Sequence, residues 1–520
     1  MRRRRTPCMA QPTRRRAAAS GVLAAIAGTT AGHLVAALTE PESSPVLAIG
    51  SAVIDRTPTP LKDWAIRNLG TMDKPVLLGS VALGTLVFAV VAGLLARRNL
   101  ALGSVALLAL VGVAAAAALK RPAANGMYVI PSLIAGVVAL VVLVLLLPGR
   151  PKVPGLGDLS AYPSGMDTRR GFLVGSGTVL AASAGAAVLG QKLGATDPTK
   201  GITLPRPRSA APPLPRGLDA TYKDITPLRT PNGGFYRVDT ALVVPKVDAD
   251  SWKLRIEGDV RHPFTLSYDD IRNMPLIERN ITMTCVSNEV GGEYVGGARW
   301  LGVRVSELLR IAQVKEPDRP DRQVLSRSTD GFTVSTPLGA LMDGRDALLA
   351  IGMNGAPLPP THGFPARLVT PGLYGFVGST KWVTKLTVTS YDAAKAYWTQ
   401  RDWATDAPIK PSARIDTPKS LAQVPKGRTT IGGIAWAQRR GVVKVEVSVD
   451  EKPWQAAQLG PDVGVDYWRQ WAIPWDFTAS GRHSIRARVT DGSGAVQTDK
   501  RARVFPSGSS GIQEVVVLVK

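Results

Sequence analysis

Cysteine and histidine are scarce in this chain, at two and four in 520 residues. Two cysteines exclude a disulfide framework, an Fe–S cluster and a CxxCH haem attachment. The histidines, His33, His262, His362 and His483, show no paired metal-ligand spacing, so a His-rich metal site has no support. Aromatic residues are only 6% of the chain and thin out in the first third, so no stacking platform for bases accompanies the basic charge there. No GxGxxG follows a strand-like run and no Walker A segment occurs, which leaves nucleotide binding without a signature.

The formal net charge is +23, and its location decides its meaning. Residues 1–196 carry about 20 Lys/Arg against about 7 Asp/Glu, beside long apolar runs, where positive charge sets membrane orientation rather than binding phosphates. Nucleic acid is therefore not an expected partner. Four apolar stretches, near 17–38, 76–96, 100–119 and 126–147, each have the length of a spanning helix, and a fifth, shorter one runs from Gly171 to Gly190. Arg2–Arg5 and Arg14–Arg16 precede the first span, Arg97–Arg98 separate the second and third, and Arg150, Lys152, Arg169 and Arg170 precede the fifth. A cytoplasmic N-terminus puts all these clusters inside, with Lys120–Arg121 the one mild violation. A multi-pass cell-membrane protein is expected, with everything after about residue 195 outside the cytoplasm. Thr168-Arg169-Arg170-Gly171-Phe172-Leu173, followed by a weakly hydrophobic Gly/Ala-rich run, resembles an internal twin-arginine export signal; the alternative is a stop-transfer helix with ordinary inside charge. His33 lies within the first span next to Ala31 and Gly32, a setting that suits helix packing better than ligation, since no other span supplies a histidine.

The expected domain organisation is a membrane domain over 1–195, a Pro-rich linker over 196–220, an α+β catalytic domain over 221–410 and a β-sandwich of immunoglobulin type over 411–520. Within the α+β part, Trp252–Gly258 alternates with period two as a half-buried strand does, helices begin at Tyr268 and Val305, and strands resume at 332–336, 366–370 and 382–389. The last part reads as short strands only, separated by turn formers such as Ser480-Gly481 and Asp491-Gly492.

Chemistry concentrates in two places. Cys285 ends a strand-like run and enters a Gly-rich loop, Ile281-Thr-Met-Thr-Cys-Val-Ser-Asn-Glu-Val-Gly-Gly-Glu293, with Arg279 and Arg299 near it in sequence. A buried inert thiol, a reactive thiolate or metal ligand, and a Cys–His hydrolase using His262 or His362 all remain open on the residues alone. The block from His362 through Arg367 to Lys381-Trp382 interleaves an imidazole, a guanidinium and an ammonium with Gly and Pro turns, a composition suited to cradling a phosphate.

Taken together, Phe235-Tyr-Arg-Val-Asp-Thr240, Thr284-Cys-Val-Ser-Asn288, Ala298-Arg-Trp-Leu-Gly-Val303, Met353-Asn-Gly-Ala-Pro-Leu-Pro359 and the His362–Trp382 block resemble, in order and spacing, the sulfite oxidase family of molybdopterin oxidoreductases. The resemblance covers about residues 225–510, and the C-terminal part is similar to that family's dimerisation domain. It implies a molybdenum–molybdopterin cofactor with Cys285 as the protein's ligand to the metal. It implies cofactor contacts from Phe235, Arg237, Asp330, His362, Arg367, Ser379, Thr380 and Lys381, and catalytic roles for Cys285, Arg237 and Arg299. Departures bear on substrate: Glu289 and Val290 follow Asn288 where sulfite oxidases carry an arginine, Trp403 stands where the family has a tyrosine, and Arg237-Val238-Asp239 replaces an Arg-Asn-His run. The resemblance implies oxygen-atom transfer on a small substrate, an external electron donor or acceptor, no haem or Fe–S centre in this chain, and a homodimer through the C-terminal domain. A reductase of oxidised sulfur or nitrogen compounds, and a non-catalytic membrane-anchored receptor, are the competing readings.

Overall fold

A computed structural model describes residues 12–58, 61, 64–65, 68–69, 72–121, 124–147, 168–193 and 197–520. Arg2–Arg5, Arg150 and Lys152, used above for orientation, lie outside the described residues, as does residue 196 at the start of the expected linker. The chain divides into two compact units, one of residues 1–197 with 241–245, the other of residues 198–240 with 246–520. Residues 241–245, inside the range expected for the catalytic domain, thus group with the first unit; Ala241-Leu-Val-Val-Pro245 is an apolar run.

Helices α1 (Arg14–Leu38), α2 (Pro45–Arg56), α3 (Asp73–Arg98), α4 (Leu100–Leu119), α5 (Ile130–Leu146) and α6 (Arg169–Leu193) make up the first unit. Among the described residues five helices are long and apolar enough to cross a membrane: α1, α3, α4, α5 with the turn that precedes it, and α6. The twelve-residue α2 was not expected. It is too short to span a bilayer, and proline at its first turn starts it. Helix α1 packs closely on its neighbours because glycines let backbones meet. A Cβ on Gly21 would stand 2.1 Å from the Ala89 carbonyl oxygen, and one on Gly28 2.5 Å from that of Ala135. His33 Nδ1 lies 3.2 Å from Ser44 Oγ, and Gly190 of α6 packs against the ring. Leu83, Val87 and Val91 of α3 and Leu173, Val174 and Val188 of α6 are exposed. In water such surfaces are a liability; hydrocarbon accepts them.

The second unit holds four sheets. One, of β1 (Lys253–Gly258), β2 (Phe264–Ser267), β5 (Arg322–Ser328), β6 (Thr333–Pro337) and β10 (Val383–Ser390), runs in the order β2-β1-β10-β5-β6, with β1 and β10 parallel. Another joins β3 (Ile277–Thr284), β4 (Val295–Arg304), β7 (Leu348–Met353) and β8 (Ala356–Pro357), with β9 (Arg367–Val369) on β7. Between strands lie α7 (Tyr268–Arg272), α8 (Val305–Ala312), α9 (Leu338–Met342) and α10 (Gly375–Gly378). Helix α7 starts on a capping box, in which Ser267 and Asp270 satisfy each other's end of the turn. Helix α8 buries Val305, Leu308, Leu309 and Ala312, the i, i+3, i+4, i+7 stripe that its sequence spells.

The C-terminal part is two facing sheets, β11-β13-β17-β16 and β12-β19-β18-β14-β15. Their strands are β11 (Ser412–Thr417), β12 (Gln423–Val424), β13 (Gly427–Trp436), β14 (Val442–Val449), β15 (Gln455–Ala456), β16 (Gln458–Leu459), β17 (Arg469–Phe477), β18 (Gly481–Asp491) and β19 (Gln513–Val519). The core between them is built from alternate residues, such as Val445, Val447 and Val449 of β14 with Ile485, Ala487 and Val489 of β18 on one sheet, and Trp471, Ile473 and Trp475 of β17 on the other. This is the sandwich expected from the strand spacing. The Pro-rich stretch is extended but not free. Arg208 and Ser209 bond to residues flanking and starting β3, and Gln470 Oε1 accepts the Leu218 N–H at 2.7 Å. Six prolines remove donors from this stretch, and the Arg208, Ala211 and Leu218 N–H groups find partners on the folded unit.

Candidate active site

Strand β3 delivers Cys285. Its last pair with β4 is Thr284 with Val295, after which the chain turns back through a tight loop. The Cys285 carbonyl accepts the Asn288 N–H at 3.0 Å, Asn288 Oδ1 accepts the Tyr294 N–H at 2.8 Å, and the Glu289 carbonyl accepts the Gly292 N–H at 2.8 Å. Gly291 takes φ 82°, a conformation glycine adopts without strain. The loop closes on itself, so Asn288 of the Cys-x-x-Asn motif is a structural clasp. Cys285 is buried. Burial pushes its thiol pKa up, while the backbone N–H and hydroxyl of Ser287 and the nearby Lys381 ammonium pull it the other way.

The facing wall is built from β9, α10 and the turns around them. His362 is buried, with Nε2 2.9 Å from the Asn232 carbonyl oxygen; a carbonyl partner makes Nε2 the protonated nitrogen. Burial lowers the His362 pKa to about 4, with Arg367, Lys381 and Arg237 adding repulsion, so the ring is neutral near pH 7. Phe235 packs edge-on against His362 and Trp300 and stacks on Tyr236 at 5.1 Å. A Cβ on Gly296 would stand 2.7 Å from the Phe235 ring, so Gly296 makes room for it, while Gly297 makes room for Tyr467 and Trp468.

Arg367 is 5% exposed, and among the described residues its guanidinium meets only neutral groups. It donates to the carbonyls of His362 (3.1 Å), Leu368 (3.4 Å) and Ser379 (3.5 Å) and lies 5.2 Å from the Trp300 ring centroid. Burial lowers its pKa to about 10. A buried cation without a carboxylate partner is costly unless an anion completes it. Lys381 donates to Asp239 Oδ2 at 2.7 Å and to the Thr361 carbonyl at 3.4 Å, and its ammonium lies 4.7 Å from the Trp382 ring centroid. Burial lowers its pKa to about 8 against the pull of Asp239. Arg237, more exposed, pairs with the same carboxylate at 2.9 Å. Two cations thus share one carboxylate, and with Arg367 close enough to repel His362 and Lys381 the cradle keeps an excess of positive charge, which fits an anionic, phosphate-bearing group. Ser379 contributes its carbonyl to Arg367, and Thr380 is held by Ser326, hydroxyl to hydroxyl at 2.5 Å, and by the Leu368 N–H. Among the described residues no group of three or more His, Cys, Asp or Glu side chains could hold a metal ion. A metal at Cys285 would therefore take most of its ligands from a cofactor.

Two expected site residues are held by other partners. Arg299 faces Glu278 (3.8 Å), Asn280 (3.4 Å) and the Pro212 carbonyl; its place on β4 turns it toward the Pro-rich segment, which it fastens. Asp330 closes the β5–β6 turn, accepting from the Ser328 hydroxyl and the Phe332 N–H beside Gly331 at φ 81°. Its neighbour Thr329, not its carboxylate, bonds to Trp382. His262 sits in the β1–β2 turn, its N–H bonded to the Ala312 carbonyl. Conversely, Tyr236 and Tyr374 were missed as individual site residues. Both feel the charge of Cys285, and Tyr236 also that of Arg367. Burial raises both phenols, Tyr374 to about 12. The motif Phe235-Tyr-Arg already held the first, but a tyrosine between two recognisable residues carries no signal of its own. A narrow pocket beside the Cys285 loop is lined by Glu289 and Val290 together with Tyr374, Lys410, Trp436 and Ser509. Trp403 lies in an aromatic cluster with Phe376, Trp398 and Phe505.

Comparison with known proteins agrees with this geometry. Residues 241–398 match the oxidoreductase molybdopterin binding domain, and residues 411–487 match a bacterial Ig domain. Mitochondrial sulfite oxidase of Mus musculus is 31% identical over 354 residues, 59% of this chain and 63% of that protein. The uncharacterised oxidoreductase YuiH of Bacillus subtilis is 36% identical over 136 residues, 26% of this chain and 64% of that protein. The sulfane dehydrogenase SoxCD from Paracoccus pantotrophus aligns over 57% of this chain and 84% of its own, at 22% identity and a TM-score of 0.49. The chain spans under two thirds of the mouse enzyme. The domain that holds His362 and Arg367, and Cys285 with them, is thus similar to the oxidoreductase molybdopterin binding domain and to the sulfite oxidases.

Proposed function

We propose that this chain is a membrane-anchored oxidoreductase that uses a molybdenum–molybdopterin cofactor to transform a small substrate, with Cys285 as the protein's ligand to molybdenum. The observation that carries this reading is the buried Arg367 guanidinium, which has only carbonyl partners and shares a cradle with His362 and Lys381. Arg367, Lys381 and Arg237 would bind the cofactor's phosphate end. His362, neutral and fixed by Asn232, would present a ring nitrogen to the pterin without adding charge. Phe235 and Trp300 exclude water from that wall, and Tyr236 and Tyr374 remain protonated donors beside the thiolate. A thiolate at Cys285 suits a metal already in a sulfur-rich sphere. When bound, the cofactor supplies two-electron redox chemistry with transfer of an oxygen atom.

Substrate choice turns on the pocket. Glu289 and Val290 line it where sulfite oxidases carry an arginine, which favours a neutral acceptor such as a sulfoxide and gives the reductase reading its support. Arg97–Arg98 at the end of α3, and Arg169–Arg170 at the start of α6, support a cytoplasmic N-terminus and an extracytoplasmic catalytic domain. Electrons would pass to or from a separate membrane or soluble partner, and the C-terminal sandwich would pair two copies of the chain. The test is metal and pterin analysis of purified protein, followed by dye-linked assays with sulfite, a sulfoxide and nitrate. About one molybdenum and one pterin per chain, with turnover of one of these substrates, is the expected result. Protein that binds neither molybdenum nor pterin would support the receptor reading instead.

A further inference from the structure

The loop that presents Cys285 is held from outside its own domain. The strand arriving at the cysteine is bonded to the sandwich through Thr282, whose N–H goes to the Asp466 carbonyl (2.9 Å) and whose hydroxyl accepts the Trp468 N–H (2.8 Å). The loop leaving the cysteine is bonded twice more. Ser509 Oγ donates to the Asn288 carbonyl at 2.7 Å, and Arg414 Nη1 donates to the Gly292 carbonyl at 3.1 Å. Arg414 is 9% exposed and is itself fixed, by Asp416 at 2.7 Å and by the Thr226 hydroxyl at 2.6 Å. Gly291 leaves no room for a side chain, since a Cβ there would stand 2.7 Å from Gln513.

We propose that Arg414 and Ser509 of the C-terminal domain are positioning residues that set the conformation of the 285–292 loop, and with it the aim of the Cys285 sulfur. The sandwich is then part of the active-site framework and not only a surface for pairing. The physical argument is one of rigidity. The loop's internal bonds, Asn288 N–H to Cys285 and Gly292 N–H to Glu289, close two short turns but leave the Asn288 and Gly292 carbonyls pointing away. Each of those carbonyls receives one donor from the other domain, and removing it leaves a polar group unmatched in a seam with little room for water. A loop so released opens more often, and the thiol it carries becomes reachable more often. The consequence for metal geometry rests on the ligand role proposed for Cys285; the clamp itself does not.

The test uses full-length, cofactor-free protein in detergent with Cys8→Ser, which leaves Cys285 as the only thiol. The reaction rate of Cys285 with a small thiol reagent is measured under native conditions for the parent, for Ser509→Ala and Arg414→Gln, and for Ser484→Ala. Ser484 serves as the control because its hydroxyl bonds Glu514 within the sandwich. Ser509→Ala is expected to react about fivefold faster, the factor that one hydrogen bond of ordinary net strength makes in an opening equilibrium, with its unfolding midpoint lowered by no more than about 4 °C. Arg414→Gln should be faster still, and Ser484→Ala should match the parent. Equal rates in Ser509→Ala and the parent would overturn the proposal, and so would an acceleration shared by Ser484→Ala. Should Arg414→Gln fail to fold, Ser509→Ala decides the matter alone. Molybdenum content, measured separately on the wild-type protein, reports on the cofactor reading independently of these rates.

Discussion

Lys381 is a cation whose charge the fold disfavours: burial brings its pKa to about 8, even with Asp239 beside it. The sign of the consequence follows from proton counting. Between about pH 8 and the ordinary lysine range the unfolded chain holds this proton and the folded, cofactor-free protein does not, so stability without an anion rises with pH across that window. An anion in the cradle reverses the preference by favouring the ammonium. Sulfate, a dianion throughout this range, is therefore expected to raise the melting temperature of cofactor-free protein by a constant amount from about pH 5.5 to 7.5, and by less as pH climbs past about 8. Arg367, at about 10, stays charged through most of that range, and His362, at about 4, does not titrate within it. A stabilisation that changed near pH 6.5 would mean that His362 binds the anion as a cation, contrary to its burial.

Residue identity made much of the cradle legible in the sequence. Imidazole, guanidinium and ammonium separated by Gly and Pro already described an anion site, and the strand-to-loop setting singled out Cys285. The partners of Arg299 and Asp330 were not legible for a common reason: each lies close to a family motif in sequence, while the direction of its side chain depends on tertiary structure. Arg299 finds Glu278, Asn280 and Pro212, and Asp330 its own turn. A guanidinium on a strand faces one of two sides, and nothing local to Ala298-Arg-Trp says which.

At the scale of elements, the period-two run that became β1 and the apolar stripe of α8 were legible because burial on one face leaves a pattern. Helix α2 and the docking of the Pro-rich segment were not. The first is a short helix between spans, and the second depends on donors in β3 and on Gln470 far along the chain. Glycines at strand crossings record a tertiary requirement that becomes clear only once the neighbour is known. Gly296→Ala brings a Cβ to within 2.7 Å of the Phe235 ring. That ring must move off His362, and thermal or denaturant unfolding is expected to show a loss of about 1–3 kcal/mol. An unchanged midpoint would mean that the Phe235 wall gives way freely.

At the scale of the whole molecule, an apolar helical unit and a molybdopterin-binding unit occupy one chain. The arginine pair at the start of α6 carries a prediction of its own. With Arg169 and Arg170 both replaced by lysine, positive charge is kept but a twin-arginine signal is lost. The catalytic unit is expected to become protected from externally added protease in spheroplasts. Unaltered cleavage would show that the pair only orients the helix.

The central claim is that one sulfur of this chain joins a pterin-borne metal, and X-ray absorption at the molybdenum edge addresses it directly. Wild-type protein and Cys285→Ser, both loaded with cofactor, are compared for the sulfur neighbours of molybdenum. The variant is expected to keep its pterin, held by Arg367, Lys381 and His362, to show one sulfur fewer around the metal and to lose turnover. An identical sulfur shell in the two proteins would contradict the assignment of Cys285 as the ligand.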